Sequence, residues 1–232
     1  MASTYSSDLK LELITTGEKA GTWGTITNTN LQILEQAASG YLSLDVASSD
    51  VALSLANHAT ANGKNLYYKL TGTLSANRTV TMPDSAERVF IVEDATSRSA
   101  SNYTLTVKTV SGTGLALPIG STTVLYSDGT NITGKLQTKG YYTPSATYTT
   151  VNGDQILVDT SGSGISAAVT INLPASPAIG NEVTFIDSGN NLASNNLTVG
   201  RNGSNILGAG SNLVVSANGS AFTLVYVNAT RG

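Results

Sequence analysis

The chain has 232 residues, of which 40% are hydrophobic and 12% charged, with a net charge of −3. Disordered segments combine low hydrophobicity with high net charge, so this balance argues against a disordered chain. The absence of cysteine excludes disulfides, thiolate chemistry and a cysteine-based zinc site, and the dispersed charges offer no basic stripe to track phosphates, so nucleic acid is not expected as a partner.

The N-terminal residues, Met1 to Asp8, lack the basic and apolar regions of a signal peptide, and no stretch approaches the ~20 apolar residues of a membrane span; no membrane insertion is expected. Gly21-Thr22-Trp23-Gly24 then sets the only tryptophan between glycines, where it can anchor a loop in a pocket or simply cover a neighbouring helix. Thr29-Asn30-Leu31-Gln32 matches a capping box, and Leu31, Leu34, Ala38 and Tyr41 follow at helical spacing. This predicts one short helix, ended by Gly40 in the left-handed conformation. Such a helix is marginal alone and must dock its apolar stripe on its own chain, a sister chain or a larger particle.

From residue 46 onward the palette is Thr, Val and Ile with Gly, Asn and Ser, which predicts short strands and tight turns. Strand-like runs recur at roughly 8–12 residue spacing, which argues for sandwich or barrel modules. Two stretches match in order. Asn62-Gly63, Leu66-Tyr67-Tyr68 and Thr71-Gly72 answer Asn152-Gly153, Ile156-Leu157-Val158 and Ser161-Gly162. Val80-Thr81-Met82-Pro83 answers Ile171-Asn172-Leu173-Pro174, and Val89 to Asp94 answers Val183 to Asp187. Asn102 to Val107 answers Asn195 to Val199, and Asp128-Gly129 and Asn218-Gly219, each flanked by apolar runs, predict a closing hairpin in each copy.

The expected fold is mostly β: a small helical head over 1–45, an antiparallel β-sandwich or barrel-like module over 46–138, a linker at 139–145, and a duplicate module over 146–232. Aromatic residues make up 6% of the chain, so each core is expected to be thin and completed by neighbouring copies, as in an obligate oligomer.

No catalytic, metal or cofactor site is expected. Glu93 and Asp94 are the one adjacent acidic pair, and as strand neighbours they point to opposite faces. Asp94 and Asp187 hold equivalent positions and are expected to serve the fold through Asx-turns. His58, the single histidine, reads as a solvated loop residue, and no phosphate-binding or dinucleotide motif occurs. Tyr67, Tyr68, Tyr126, Tyr141, Tyr142 and Tyr148 are core, subunit-interface or sugar-stacking groups.

Leu9 to Gly24, followed by Thr27 to Leu31 and Glu35-Gln36-Ala37, resembles the N-terminal module of structural proteins in tailed phages of marine bacteria, cyanophages included. The modules, with Leu-Pro, a later Asp, Asn-Asn-Leu-Thr-Val and an Asn-Gly turn, are similar to β domains of phage tail-fibre proteins. The resemblance implies a homotrimer in the virion tail, assembled in the host cytoplasm. It implies an N-terminal attachment to tail proteins of adaptor, nozzle or baseplate type, and a host surface glycan or protein as a further partner. Trp23, Asn28, Asn30, Leu31, Leu34 and Tyr41 are the candidate attachment or oligomer-interface residues. A head, neck or decoration protein, a receptor-binding adhesin and a glycan-degrading tailspike are the rival expectations.

Overall fold

The computed structural model describes residues 3–99, 103–138, 140–162 and 165–232, with backbone alone at 135–138. The protein is mostly β, and one α-helix occurs among the described residues. It divides into two compact units: Met1–Thr96 with Thr104–Leu117 and Thr122–Thr138, and Ser97–Tyr103 with Pro118–Ser121 and Lys139–Gly232.

The first unit opens with an antiparallel ribbon, β1 (Thr4–Tyr5) and β2 (Glu12–Leu13), and then the helix α1 (Trp23–Ser39). Strands follow in couples: β3 (Tyr41–Asp45) with β4 (Val51–Ala52), then β5 (Tyr67–Thr71) and, after β6 (Thr73–Leu74), β7 (Arg78–Met82). The third couple is β8 (Glu87–Asp94) and, beyond β9 (Ser97–Arg98), β10 (Leu105–Thr109). One member of each couple joins one sheet and one the other. β3, β5 and β8 pair in parallel, as do β4, β7 and β10, so each couple is a coil and three coils stack. Antiparallel strands close the stack: β11 (Gly114–Ala116) on β10, β12 (Thr122–Asp128) on β8, and β13 (Ile132–Thr138) on β12.

The second unit repeats this order of pairings. β14 (Tyr141–Tyr142), β15 (Tyr148–Thr149), β16 (Gln155–Val158), β17 (Val169–Asn172), β18 (Glu182–Asp187) and β19 (Leu197–Gly200) alternate between two sheets and pair in parallel within each. β20 (Leu213–Val215) closes antiparallel on β19, and β21 (Ala221–Val225) closes antiparallel on β18.

Each unit is therefore a short β-solenoid, which corrects the expected antiparallel sandwich or barrel. Both architectures bury alternate residues, so a period of two cannot separate them. What differs is the partner of each strand. Consecutive strands here cross to the opposite sheet, and the strand one coil later lies alongside in parallel. The Asp128-Gly129 hairpin forms between β12 and β13, with Gly129 at φ +82°. The one expected at Asn218-Gly219 does not: that turn carries the chain from β20 in one sheet to β21 in the other.

Inward rows fill the space between the sheets. Tyr68, Leu70, Val80, Phe90, Leu105 and Leu125 are buried in the first unit, and Ile156, Ile171, Val183, Phe185, Leu197 and Val199 in the second. Stacked coils cover the middle of each inner face within one chain. The end coils stay partly open: Leu42 and Leu44 in the first unit, and Tyr142, Leu213, Val215, Phe222 and Leu224 in the second, are half-buried. Phe222 stacks on Phe185 with ring centroids 5.2 Å apart.

Carboxylates turn the chain at the strand ends. Oδ1 of Asp45 accepts the Ala47 N–H (2.8 Å), that of Asp94 the Thr96 N–H (3.0 Å), and that of Asp159 the Ser161 N–H (2.9 Å), all Asx-turns. The next coil passes close over two of them. A Cβ at Gly72 would lie 2.5 Å from Oδ1 of Asp45, and one at Gly189 would lie 2.4 Å from Oδ1 of Asp159. Asp187 differs, accepting the Gly219 N–H through Oδ2 (2.9 Å).

A buried charge follows the Asn-Gly pair in each unit and serves the adjoining loop. The Lys64 ammonium, which burial pushes down to about 8, donates to the carbonyls of Ala56 (2.7 Å) and Ala59 (2.6 Å). Asp154, in the corresponding place after Asn152-Gly153, instead accepts the Tyr148 hydroxyl (2.8 Å) and the Val151 N–H (2.9 Å). The sign of the charge follows the loop: carbonyls face the cation and donors face the anion.

Phe185→Ala removes a ring that is 1% exposed at the centre of the second unit. Such truncations cost about 3–5 kcal/mol, and chemical denaturation of the variant is expected to show a loss of that size; a loss below about 1 kcal/mol would place Phe185 outside a sealed core.

Candidate interaction surface

The helix begins six residues before the predicted cap. Thr22 stands at its N-terminus without a side-chain cap, and the Thr29 hydroxyl donates back to the Thr25 carbonyl (3.0 Å) inside the helix. Gly40 is extended at φ −63°, ψ 133°, not left-handed, and its N–H donates to the Gln36 carbonyl (2.8 Å). The chain passes directly into β3, so no αL cap is required.

One helix face packs on its own unit. Ile26 and Ile33 are buried, seven residues apart, and Asn30 and Ala37 lie half-buried on the same face. Polar side chains fix the docking. Asn30 accepts the Glu12 N–H (3.0 Å) and donates to the Glu12 carbonyl (2.9 Å), while Gln36 donates to the Ala61 carbonyl (3.0 Å) and accepts the Ala61 N–H (3.3 Å). Glu12 is itself buried, 3.0 Å from Lys19 and 3.5 Å from His58. His58 is thus half-buried against Glu12 and Asn30, not solvated as expected. The Ser3 hydroxyl and the Lys19 ammonium hold the Glu12 carboxyl below the usual carboxylate range.

The expected site residues separate into distinct places. Trp23, Leu31 and Leu34 are exposed on one side of the helix. Asn28 is exposed but sits farther round, and Asn30 faces inward and is occupied with Glu12. Tyr41 is off the helix, at the start of β3, with its ring stacked on Tyr67 (centroids 5.8 Å, 22° between planes). Tyr67 donates to Glu93 Oε2 (2.9 Å), and Lys69 lies 3.1 Å from the same carboxylate. Burial pushes Glu93 up, but the Tyr67 hydroxyl and the Lys69 ammonium outweigh it and hold the carboxyl below its ordinary value.

This outer row was hidden in the sequence. Tyr41, Tyr67 and Ile91 stand in register, as do Lys69 and Glu93, only because β3, β5 and β8 pair in parallel. Exposed apolar side chains are concentrated in the head: Tyr5, Leu13, Trp23, Leu31, Leu34 and Tyr41 are six of fourteen large exposed hydrophobics among the described residues. Such a concentration marks a binding surface more than solitary exposed residues do.

The second unit holds an apolar cleft of about 290 Å³ lined by Leu173, Ile206, Leu224 and Tyr226, with Glu182 and Arg231 among its polar groups. It is large enough for an apolar side chain. Neither a family model nor a curated protein matches the chain.

A carboxyl with a lowered folded-state pKa contributes stability above its unfolded pKa, and that contribution is lost as pH falls through the folded value. Acidification through the lower end of the carboxylate range is therefore expected to loosen the head, read as reduced fluorescence polarisation of Trp23, the sole tryptophan. Glu12→Gln should abolish this titration. A wild-type signal that stays flat, or a Gln variant that still titrates, contradicts the role given to Glu12.

Proposed function

We propose that this chain is a structural component of a tailed-phage particle, a homotrimeric tail fibre or fibre base held to the tail by residues 1–45 and projecting two β units built by internal duplication. The observation that carries this reading is the head itself: a helix docked by one face, with Trp23, Leu31 and Leu34 exposed on it and Tyr41 exposed at the start of β3. Solenoid units together with an apolar head have the division of labour that an attached fibre needs.

Two further points support it. Four of the matched sequence stretches lie on strands in corresponding places, β5 with β16, β7 with β17, β8 with β18 and β10 with β19, and the matched Asn-Gly pairs precede β5 and β16. The role is proposed as structural rather than catalytic, since the exposed surfaces present stacked tyrosines and an ion pair, and Glu93 and Asp94 face opposite sides of β8.

Tail proteins of the particle are the proposed partners of the head, and a host surface glycan or protein is the proposed partner of the outward units. Gold-labelled antibody against the full chain is expected to decorate the tails of purified particles. Labelling confined to heads would overturn the tail assignment, and particles without label would overturn the virion assignment.

A further inference from the structure

The last strand of the second unit has a neighbour on one side only. β21 pairs antiparallel with β18, and among the described residues no strand lies beyond it. Two bonds bracket the pairing, from the Asp187 N–H to the Ser220 carbonyl (2.8 Å) and from the Tyr226 N–H to the Asn181 carbonyl (2.8 Å). Bonded and non-bonded pairs alternate along an antiparallel ladder, so Phe222 and Leu224 bond β18, while the N–H and C=O groups of Ala221, Thr223 and Val225 point away from it. None of these outward groups has a hydrogen-bond partner among the described residues.

Open edges are normally guarded against added strands by a charge, a proline, a bulge or brevity. Of the edge strands with four or more residues among the described ones, β3 ends in Asp45 and β13 shifts register against β12. β21 has neither guard: it reads Ala-Phe-Thr-Leu-Val and runs in even register with β18.

Its side chains are as incompletely covered as its backbone. Phe222 and Leu224 are half-buried, whereas Phe185 and Val183, opposite them on β18, are 1% and 3% exposed. The cavity of about 290 Å³ lies along the same strand, with Thr223 and Val225 in its wall beside Leu173 and Ile206. A cavity of about 150 Å³ already holds a benzene ring, so this one has room for a large apolar side chain.

We propose that β21 is a docking edge for an extended segment of another polypeptide, which joins the sheet as a further strand, covers Phe222 and Leu224 and sets one apolar side chain in the cavity. Chemistry selects this occupant. Unbonded N–H and C=O groups at alternate residues match the main chain of a second strand, and the apolar row beside them matches its alternate side chains. Strand addition draws its affinity from those main-chain bonds and from pockets for alternate side chains, so a wide flat interface is not required. The edge is open whether or not the chain belongs to a tail, and the inference stands apart from that assignment.

The probe is a fluorescein-labelled peptide copying residues 181–188, whose Val183 and Phe185 already suit β21 within the folded chain. With the full chain, fluorescence polarisation is expected to show saturable binding. Hydrogen exchange at Ala221, Thr223 and Val225 should slow at least about tenfold when the peptide is bound, while the Phe222 and Leu224 amides are slow in both states. Thr223→Pro deletes one outward N–H and leaves the ladder to β18 intact; it is expected to weaken binding at least about tenfold, whereas Thr223→Val, which keeps the N–H, binds as the wild type does. The exchange pattern of the wild-type chain decides even where the proline variant is unstable. No binding at peptide concentrations up to about 1 mM, protection that skips Ala221, Thr223 and Val225, or binding that a folded Thr223→Pro leaves unchanged overturns the proposal. So does protection of the same amides that rises with protein concentration without peptide, which would give the edge to a second copy.

Discussion

Stacking of coils is the constraint from which the rest of this structure follows. A single coil has two short strands, one in each sheet, and cannot bury its inward residues alone. Parallel neighbours above and below supply the missing contacts, and the backbone groups of each strand find theirs in the same way. The inner rows, such as Leu42, Tyr68, Val92 and Thr123, or Tyr142, Ile156, Phe185 and Phe222, are vertical columns through successive strands. The corners need equal regularity. Aspartates at strand ends tie down the next turn, and a glycine one coil later leaves room for two of those carboxylates.

Core coverage changes what the exposed residues mean. With the middle of each inner face covered, six of the fourteen large exposed hydrophobics among the described residues lie in the head. The helix is held by two isoleucines and by amide side chains that satisfy backbone groups of Glu12 and Ala61. Trp23, Leu31 and Leu34 remain exposed among the described residues. Burial in the solenoid units and apolar exposure on the helix therefore fall to different residues, and each can be altered separately.

Much of this was legible in the chain, and the limits have physical causes. Alternation along Val89 to Asp94 and Val183 to Asp187 gave strands with the right inward residues. Four matched stretches fall on strands with like pairings, whereas the closing ones do not, since β12 pairs with β8 but β20 with β19; Asp128-Gly129 marked a true hairpin. Pairing partners were invisible, because alternation reports which residues face inward but not which strand lies alongside. Asn218-Gly219 illustrates the ambiguity: the same dipeptide chemistry turns the chain within a sheet or between sheets. The helix start was missed because Thr29 satisfies a capping pattern in sequence yet bonds the Thr25 carbonyl in the structure. Of the expected attachment residues, Trp23, Asn28, Leu31, Leu34 and Tyr41 are exposed, whereas Asn30 faces inward and bonds Glu12.

Parallel pairing between coils carries the account, and cross-strand nuclear Overhauser contacts test it most directly. Between β16 and β18, with Ile156 opposite Phe185, evenly slanted amide-to-Hα contacts are expected and close Hα–Hα contacts should be missing. Strong Hα–Hα contacts there would mean antiparallel neighbours, and the coil architecture would be wrong.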